Sequence, residues 1–323
     1  MNDPLRRLAL ALGGGLLLAL LVPAPASAHL IGGGIEPSNY RSRILAVRPA
    51  LPGVSVRLVN AGTRMQVRNG GAREVVVVGS SGEPLVRIAP GTTASWNDQR
   101  ITWTGPEAPP AVRRAPGRAQ VVIPHWTVQL RAGDQLVEVA GEVRWVPGPP
   151  PLAWLGLALL LAIAVVAAGG TVGWRGALSA VLVAIVTIDV VHTGGVWAGV
   201  DAPSLAKLLA SSMSVLGWAI ALLSVRQLLR GRAESGLFQL LLAVGLIAIV
   251  GGLSDLGTLL RSQIATALPV GLAQAAVACK IGLGTGAVVA ALLRLRVVMR
   301  EAEPYDEDEP EEEARHGQVF APR

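Results

Sequence analysis

The feature that most constrains this chain is an uncharged apolar run at residues 152–169, entered through the stiff segment Val146-Pro-Gly-Pro-Pro-Pro151. Wound as a helix at about 1.5 Å per residue, it is long enough to cross the hydrocarbon of a bilayer. It divides the chain in two. Four further apolar runs follow it, at residues 177–199, 205–225, 237–253 and 268–293, and residues 151–296 therefore read as a five-helix transmembrane domain. The mean hydropathy of +0.51 comes from Leu, Val and Ala rather than aromatics, which are 4% of residues, as suits helices that face lipid.

Residues 1–28 carry the parts of a secretory signal peptide: Arg6 and Arg7, an apolar stretch from Leu8, and Pro23-Ala-Pro-Ala-Ser-Ala28 ending in a small-x-small site. Cleavage there leaves His29 as the amino terminus. Without cleavage the segment becomes an extra helix and the sidedness of the rest is unchanged.

Between residues 29 and 150, short β-branched runs are broken by turn residues. They lie at 54–59, 64–67, 74–78, 84–88, 92–96, 101–103, 120–130 and 136–145, with Asn69-Gly70-Gly71, Ser81-Gly82-Glu83 and Ala132-Gly133-Asp134 as turns. Seven or eight strands in a domain of this length predict an all-β sandwich of immunoglobulin-like build, with a small barrel as the alternative. The Pro-rich stretch 105–117 reads as a long exposed loop. No cysteine lies in this domain, so its core must hold without disulfides.

Basic residues set the sidedness. Arg175, then Arg226, Arg230 and Arg232, then Arg294, Arg296 and Arg300 alternate along the chain with Asp201, Asp255 and Arg261. The Arg-rich ends belong in the cytoplasm, the β-domain outside the plasma membrane, and Asp201, Asp255 and Arg261 in outer loops. The tail, residues 297–323, is also cytoplasmic, and nine acidic residues between Glu301 and Glu313 predict disorder. The β-domain holds fourteen Arg against eight Asp or Glu, a surface suited to anionic polymers, lipid headgroups or an acidic envelope protein. Its place behind an export signal excludes nucleic acid.

Ionisable groups inside lipid-spanning segments are costly and are the first candidates for a site. Asp189 and His192, three residues apart, share a helix face, and Lys280 in the fifth run falls at a similar depth, so an ion pair with Asp189 is expected. Two readings stand: a pair that only fixes packing, or a proton or cation path through Asp189 and His192. Gly194, Gly195, Gly251 and Gly252 permit close helix approach. Candidate metal ligands are His29, whose amine and imidazole together could chelate copper, His125 beside Trp126, and Met213 and Cys279 as soft donors. Trp96, Trp103, Trp126 and Trp145 read as core and rim packing. There is no phosphate-cradling glycine loop, zinc-type ligand pair or nucleophile motif, so catalysis has no residues to rest on.

Two resemblances extend this reading. Gly82-Glu-Pro-Leu-Val-Arg-Ile88, Trp96-Asn-Asp-Gln-Arg-Ile-Thr-Trp103 and the segment 121–131 through Trp145-Val-Pro-Gly-Pro149 resemble a family of exported, membrane-anchored actinobacterial proteins without an assigned activity. In that family histidines often stand between the two tryptophans. Here Asn97, Gln99 and Thr102 take those places, and only Asp98 and Arg100 keep the pattern. Asp189-Val-Val-His-Thr-Gly-Gly-Val-Trp-Ala-Gly199, with Lys280-Ile-Gly-Leu-Gly284, is similar to parts of two helices of the copper-resistance D-type membrane domain. That similarity implies copper passage or sensing, with His192 and Met213 as ligands. The resulting expectation is an envelope membrane protein that handles or senses a metal ion, copper foremost. Its competitor is a non-catalytic adaptor using the Arg-rich domain and the acidic tail.

Overall fold

A computed structural model of the protein describes residues 37–302; the signal segment, His29 and the acidic tail beyond residue 302 lie outside the described residues. The amino-terminal domain consists of two antiparallel sheets. Strands β1 (Tyr40–Arg48), β2 (Val54–Val59), β3 (Arg64–Asn69), β4 (Val75–Val78), β5 (Pro84–Ile88), β6 (Thr93–Asn97), β7 (Gln120–Ala132) and β8 (Gln135–Trp145) form one sheet in the order β1-β8-β7-β4-β5 and a second in the order β2-β3-β6. Alternation does the folding. Val137, Val139 and Val143 on β8, Trp126, Val128 and Leu130 on β7, and Met65 and Val67 on β3 all bury every second side chain, and they meet in one core. This is how two sheets share an interior.

Three expectations need correction here. Strand β1 was not among the expected runs, because Arg41 and Arg43 interrupt it; they occupy one face while Tyr40 and Ile44 pack against the core. Residues 101–103 are not a strand: a 3₁₀ turn, Gln99–Ile101, takes their place, buries Ile101 and is capped by Asp98. The stretch 105–117 is not simply an exposed loop. It contains a helical turn, Pro110–Arg114, with Val112 buried, and is pinned by hydrogen bonds from Trp103 Nε1 to the Glu107 carbonyl and from Trp145 Nε1 to the Pro116 carbonyl.

Asp98 and Arg100 form a latch in this domain. Arg100 Nε and Nη2 donate to the two carboxylate oxygens of Asp98 at 2.8 and 2.6 Å, Trp96 Nε1 donates to Oδ2 at 3.1 Å, and Arg100 Nη1 reaches the Val78 carbonyl on β4. The latch therefore ties β6 to the other sheet. Burial by itself would raise the Asp98 pKa, but the hydrogen bonds from Arg100 and Trp96 outweigh it and hold the carboxyl below its ordinary value. A depressed carboxylate contributes stability that is complete above its unfolded pKa, about 3.9, and is lost as pH falls through the folded value. Asp98→Asn is accordingly expected to cost on the order of 2 kcal/mol at neutral pH. Thermal unfolding followed between pH 7 and pH 3 should show the gap from wild type closing below about pH 4; a constant gap would rule the latch out as the origin.

The remaining chain forms five helices long and apolar enough to cross a membrane. They are α1 (Pro151–Gly169), α2 (Trp174–Gly199), α3 (Ser204–Leu229), α4 (Ala233–Val244, continued by a π-helical segment Gly245–Gly251) and α5 (Val270–Ala302). The chain is thus that of a multi-pass membrane protein. Apolar side chains such as Leu159, Leu160, Leu209 and Leu222 point outward, as a lipid solvent allows, while the contacts between helices use small residues. A Cβ on Gly282 or Gly286 of α5 would meet the Ala158 or Ala162 carbonyl oxygen of α1 at 2.5 and 2.6 Å, so these glycines set how closely α1 and α5 lie.

Two loops of the bundle hold the sheet domain. Asp201, between α2 and α3, receives hydrogen bonds from Ser95 Oγ and Arg64 Nη1, and its backbone N–H donates to Asn60 Oδ1 at 2.7 Å. After α4, Ser262 N–H donates to Asn39 Oδ1 at 2.9 Å, Ser262 Oγ donates to the Val146 carbonyl, and Gln263 forms a two-bond bridge with Ser38. At the other end of the bundle Arg294 donates to the carbonyls of Gly169 and Thr171 and, with Arg175, lies over the Trp174 ring. The arginine-bearing turns and the sheet domain therefore sit at opposite ends of the helices.

Candidate functional site

Four segments of the bundle converge on one buried ionic cluster. Asp189 lies ten residues before the end of α2 at Gly199 (199 − 189), and Lys280 lies ten residues after the start of α5 at Val270 (280 − 270). At about 1.5 Å per residue both stand about 15 Å in from the ends nearest the sheet domain. Lys280 Nζ donates to Asp189 Oδ1 at 2.9 Å, and Trp218 Nε1, from α3, donates to Asp189 Oδ2 at 2.9 Å, so both oxygens of that carboxylate are engaged. Lys280 Nζ also donates to Asp255 Oδ2 at 3.3 Å, and His192 Nε2 stands 3.1 Å from the same oxygen. Asp189 and Lys280 are each only 1% exposed.

Asp255 is the principal correction to the sequence reading, which put it in a water-facing outer loop. α4 continues through its π-helical segment to Ser254, and Asp255 stands at the helix end just before the 3₁₀ turn Leu256–Leu260. Gln274 on α5 fixes that turn by donating to the carbonyls of Thr258 and Arg261. The return segment also lies on α2: Ala267 N–H donates to the Gly195 carbonyl, and a Cβ on Gly195 would meet the Leu268 side chain at 2.5 Å. Gly195 and Gly199 are glycine because a loop crosses them, not because two helices meet there. Gly194 has open space where a Cβ would be. Of the two residues missed, Asp255 had a visible signal in the Gly251-Gly252 pair just before it; Trp218 had none.

Unit charges on the two carboxylates and the ammonium sum to −1 when His192 is neutral and to zero when it is an imidazolium. The carboxylate oxygen beside Nε2 favours the neutral tautomer with its proton there. Nδ1 then presents a lone pair, and it is buried with no hydrogen-bond partner. A buried polar atom left in this state is expensive, which singles out the imidazole as the incomplete member of the cluster.

The cluster borders a cavity of about 250 Å³. Asp189, His192, Asp255 and Lys280 line it together with several hydroxyls, Val196, Val200 and Ile264 are among its apolar lining, and Pro37 at the start of the sheet domain reaches it. Trp197 is also in the wall, held by donation to Ser211 Oγ at 2.7 Å while its carbonyl accepts from Lys207 Nζ.

Of the residues expected to bind copper, those within the described part of the chain do not come together. His29 lies outside the described residues. His125 is exposed on β7, and among the described residues no group of three or more His, Cys, Asp or Glu could hold a metal ion. Met213 and His192 do line the same cavity, but two donors fall short of the three or four that such sites bring together, and the Lys280 ammonium already occupies the space between the carboxylates. Cys279, next to Lys280, is half-buried and a free thiol. Among the described residues no set of three or more metal donors forms.

Comparison with protein-family models, with curated proteins and with solved structures gives no match.

Proposed function

We propose that this is a proton-linked envelope membrane protein, with an immunoglobulin-like sandwich outside the cytoplasm, in which the Asp189–Lys280–Asp255–His192 cluster takes up and releases one proton next to an outward cavity. The observation that carries the reading is the buried, unpartnered Nδ1 of His192 in a cluster one positive charge short of balance. Histidine is the side chain whose charge changes under ordinary physiological conditions, and a net negative buried cluster gives it reason to do so. The groups around it are Asp189 on the same helix, Lys207 on α3, Asp255 after α4 and Lys280 on α5; residues 235–254 and all of α1 bring no charge. Positive residues at the opposite end of the bundle support the orientation.

The test uses the full-length protein in nanodiscs with ¹⁵N-labelled histidine, the His192 signal being assigned by its loss in His192→Gln. The spectrum is followed from about pH 8 to 5; the proposal requires the signal to change from neutral imidazole to imidazolium on acidification, and Asp255→Asn to alter that change. An imidazole that stays neutral over the whole range sinks the proposal.

The adaptor reading has an observation of its own. The outward face of β2-β3-β6 forms a polar groove lined by Ser55, Arg57, Gln66, Arg68, Gly91 and Thr93, and among the described residues neither arginine has a carboxylate within ion-pair distance. Such a groove suits an acidic partner or an anionic polymer. Charge reversal at Arg57 and Arg68 separates the two readings, because it would abolish binding of an anionic polymer and leave the His192 titration untouched.

A further inference from the structure

We infer that the cavity beside the cluster binds a small protonated amine, whose ammonium takes the place of the proton on His192. The inference rests on the proton-linked reading of the same site, and adds the chemical class of its ligand.

Three features of the wall select that class. The first is charge: with neutral His192 the cluster carries −1, so a monocation completes it and an anion is repelled. Lys280 offers an anion little, since two of its three N–H groups already point at Asp189 and Asp255. The second is a free acceptor. Both contacts of Asp255 use Oδ2, and among the described residues nothing donates to its Oδ1, which an ammonium in the cavity can engage. His192 Nδ1 is buried away from the cavity, so a proton on the imidazole and an ammonium at Asp255 answer the same missing charge at different atoms. The third is the remainder of the wall. Val196, Val200, Ile264 and Ala265 provide apolar contact for a short carbon chain, and the Trp197 ring adds a face that attracts cations. A metal cation would instead have to displace the Lys280 ammonium, which already bridges the two carboxylates.

Size sets the upper limit. At about 30 Å³ per water, a cavity of about 250 Å³ holds about eight waters, room for an amine of comparable heavy-atom count. The neutral chain would lie toward Pro37 and the Ile264 segment, where the sheet domain meets the bundle, with the ammonium toward Asp255.

The experiment measures binding of n-butylammonium, n-butanol and butyrate to the full-length protein in nanodiscs by tryptophan fluorescence and by melting temperature. The amine should bind at least about tenfold more tightly than the alcohol, the difference one well-placed charge makes. Butyrate should not bind. Amine affinity should fall from pH 8 to pH 5 as a proton on His192 supplies the charge the amine would, the amine itself staying charged throughout. Asp255→Asn should abolish the preference for amine over alcohol. Since that variant also removes a partner of Lys280, Ala265→Phe is a second test: it fills the cavity, leaves every charge in place and should abolish binding of amine and alcohol alike. Equal binding of amine and alcohol at pH 8, with His192 titrating normally, overturns the inference and leaves the proton-linked reading standing. Selective amine binding that does not vary with pH, with His192 neutral throughout, upholds the amine site and overturns the proton-linked reading.

Discussion

Replacing Lys280 by Met will destabilise the helical bundle by about 3–5 kcal/mol, the usual consequence of stranding a buried charge. The ammonium is 1% exposed and is the only cation within ion-pair distance of Asp189 and Asp255 among the described residues. Removing it takes the cluster from −1 to −2 with His192 neutral and leaves both carboxylates without their ammonium partner inside the bundle. Combining Lys280→Met with Asp189→Asn returns the sum to −1, so the double variant should recover a substantial part of the loss, and the recovery measures the coupling between the two groups. Trp218 Nε1 keeps a partner in the double variant, because an amide oxygen can accept the hydrogen bond that Asp189 accepts now. Loss of helical circular dichroism on heating the protein in detergent would read both effects. A wild-type midpoint in the single Lys280→Met variant would refute the account of the cluster given above.

Trp126→Ala is expected to be the most damaging change in the sheet domain, at about 3 kcal/mol, the lower end of the range for a buried aromatic. The indole lies between the sheets, 4% exposed, and crosses β8 at Gly141, where a Cβ would overlap both the ring and the Arg43 carbonyl of β1. β8 is the strand between β1 and β7, so emptying that space loosens three strands together. The lower end is chosen because Trp126 Nε1 is buried without a partner, and alanine removes that cost along with the packing. The near-ultraviolet tryptophan signal of the full-length protein, followed through urea, reports on this domain. A loss below about 1 kcal/mol would mean that neighbouring side chains collapse into the space.

How much of this was legible in the sequence depends on the range of the interaction involved. A lipid-crossing helix is announced by a continuous apolar run, and the five runs correspond to five helices, the first four within about four residues of the expected bounds and the fifth running on to Ala302 rather than ending at residue 293. Strands with clean alternation were equally plain. β1 was hidden because its outward arginines mask the alternation, and residues 101–103 misled because a β-branched residue beside tryptophans can bury itself from a 3₁₀ turn as well as from a strand.

The cluster shows the division most clearly. Depth along a helix is a matter of counting, so the sequence by itself placed Asp189 and Lys280 at nearly one level and Asp189 and His192 on one helix face. It could not place Asp255, because a residue beyond the end of an apolar run ordinarily meets water. Only the tertiary structure decided otherwise: a 3₁₀ turn follows Asp255, Gly195 and Gly199 admit the returning loop, and Gln274 holds it, so that the second carboxylate enters the bundle. Those contacts join residues dozens of positions apart, and no local pattern encodes them. They change the site's chemistry as well, because one carboxylate and one ammonium would be a neutral pair with nothing left to bind. The second carboxylate leaves a charge that a proton, or an ammonium, must answer.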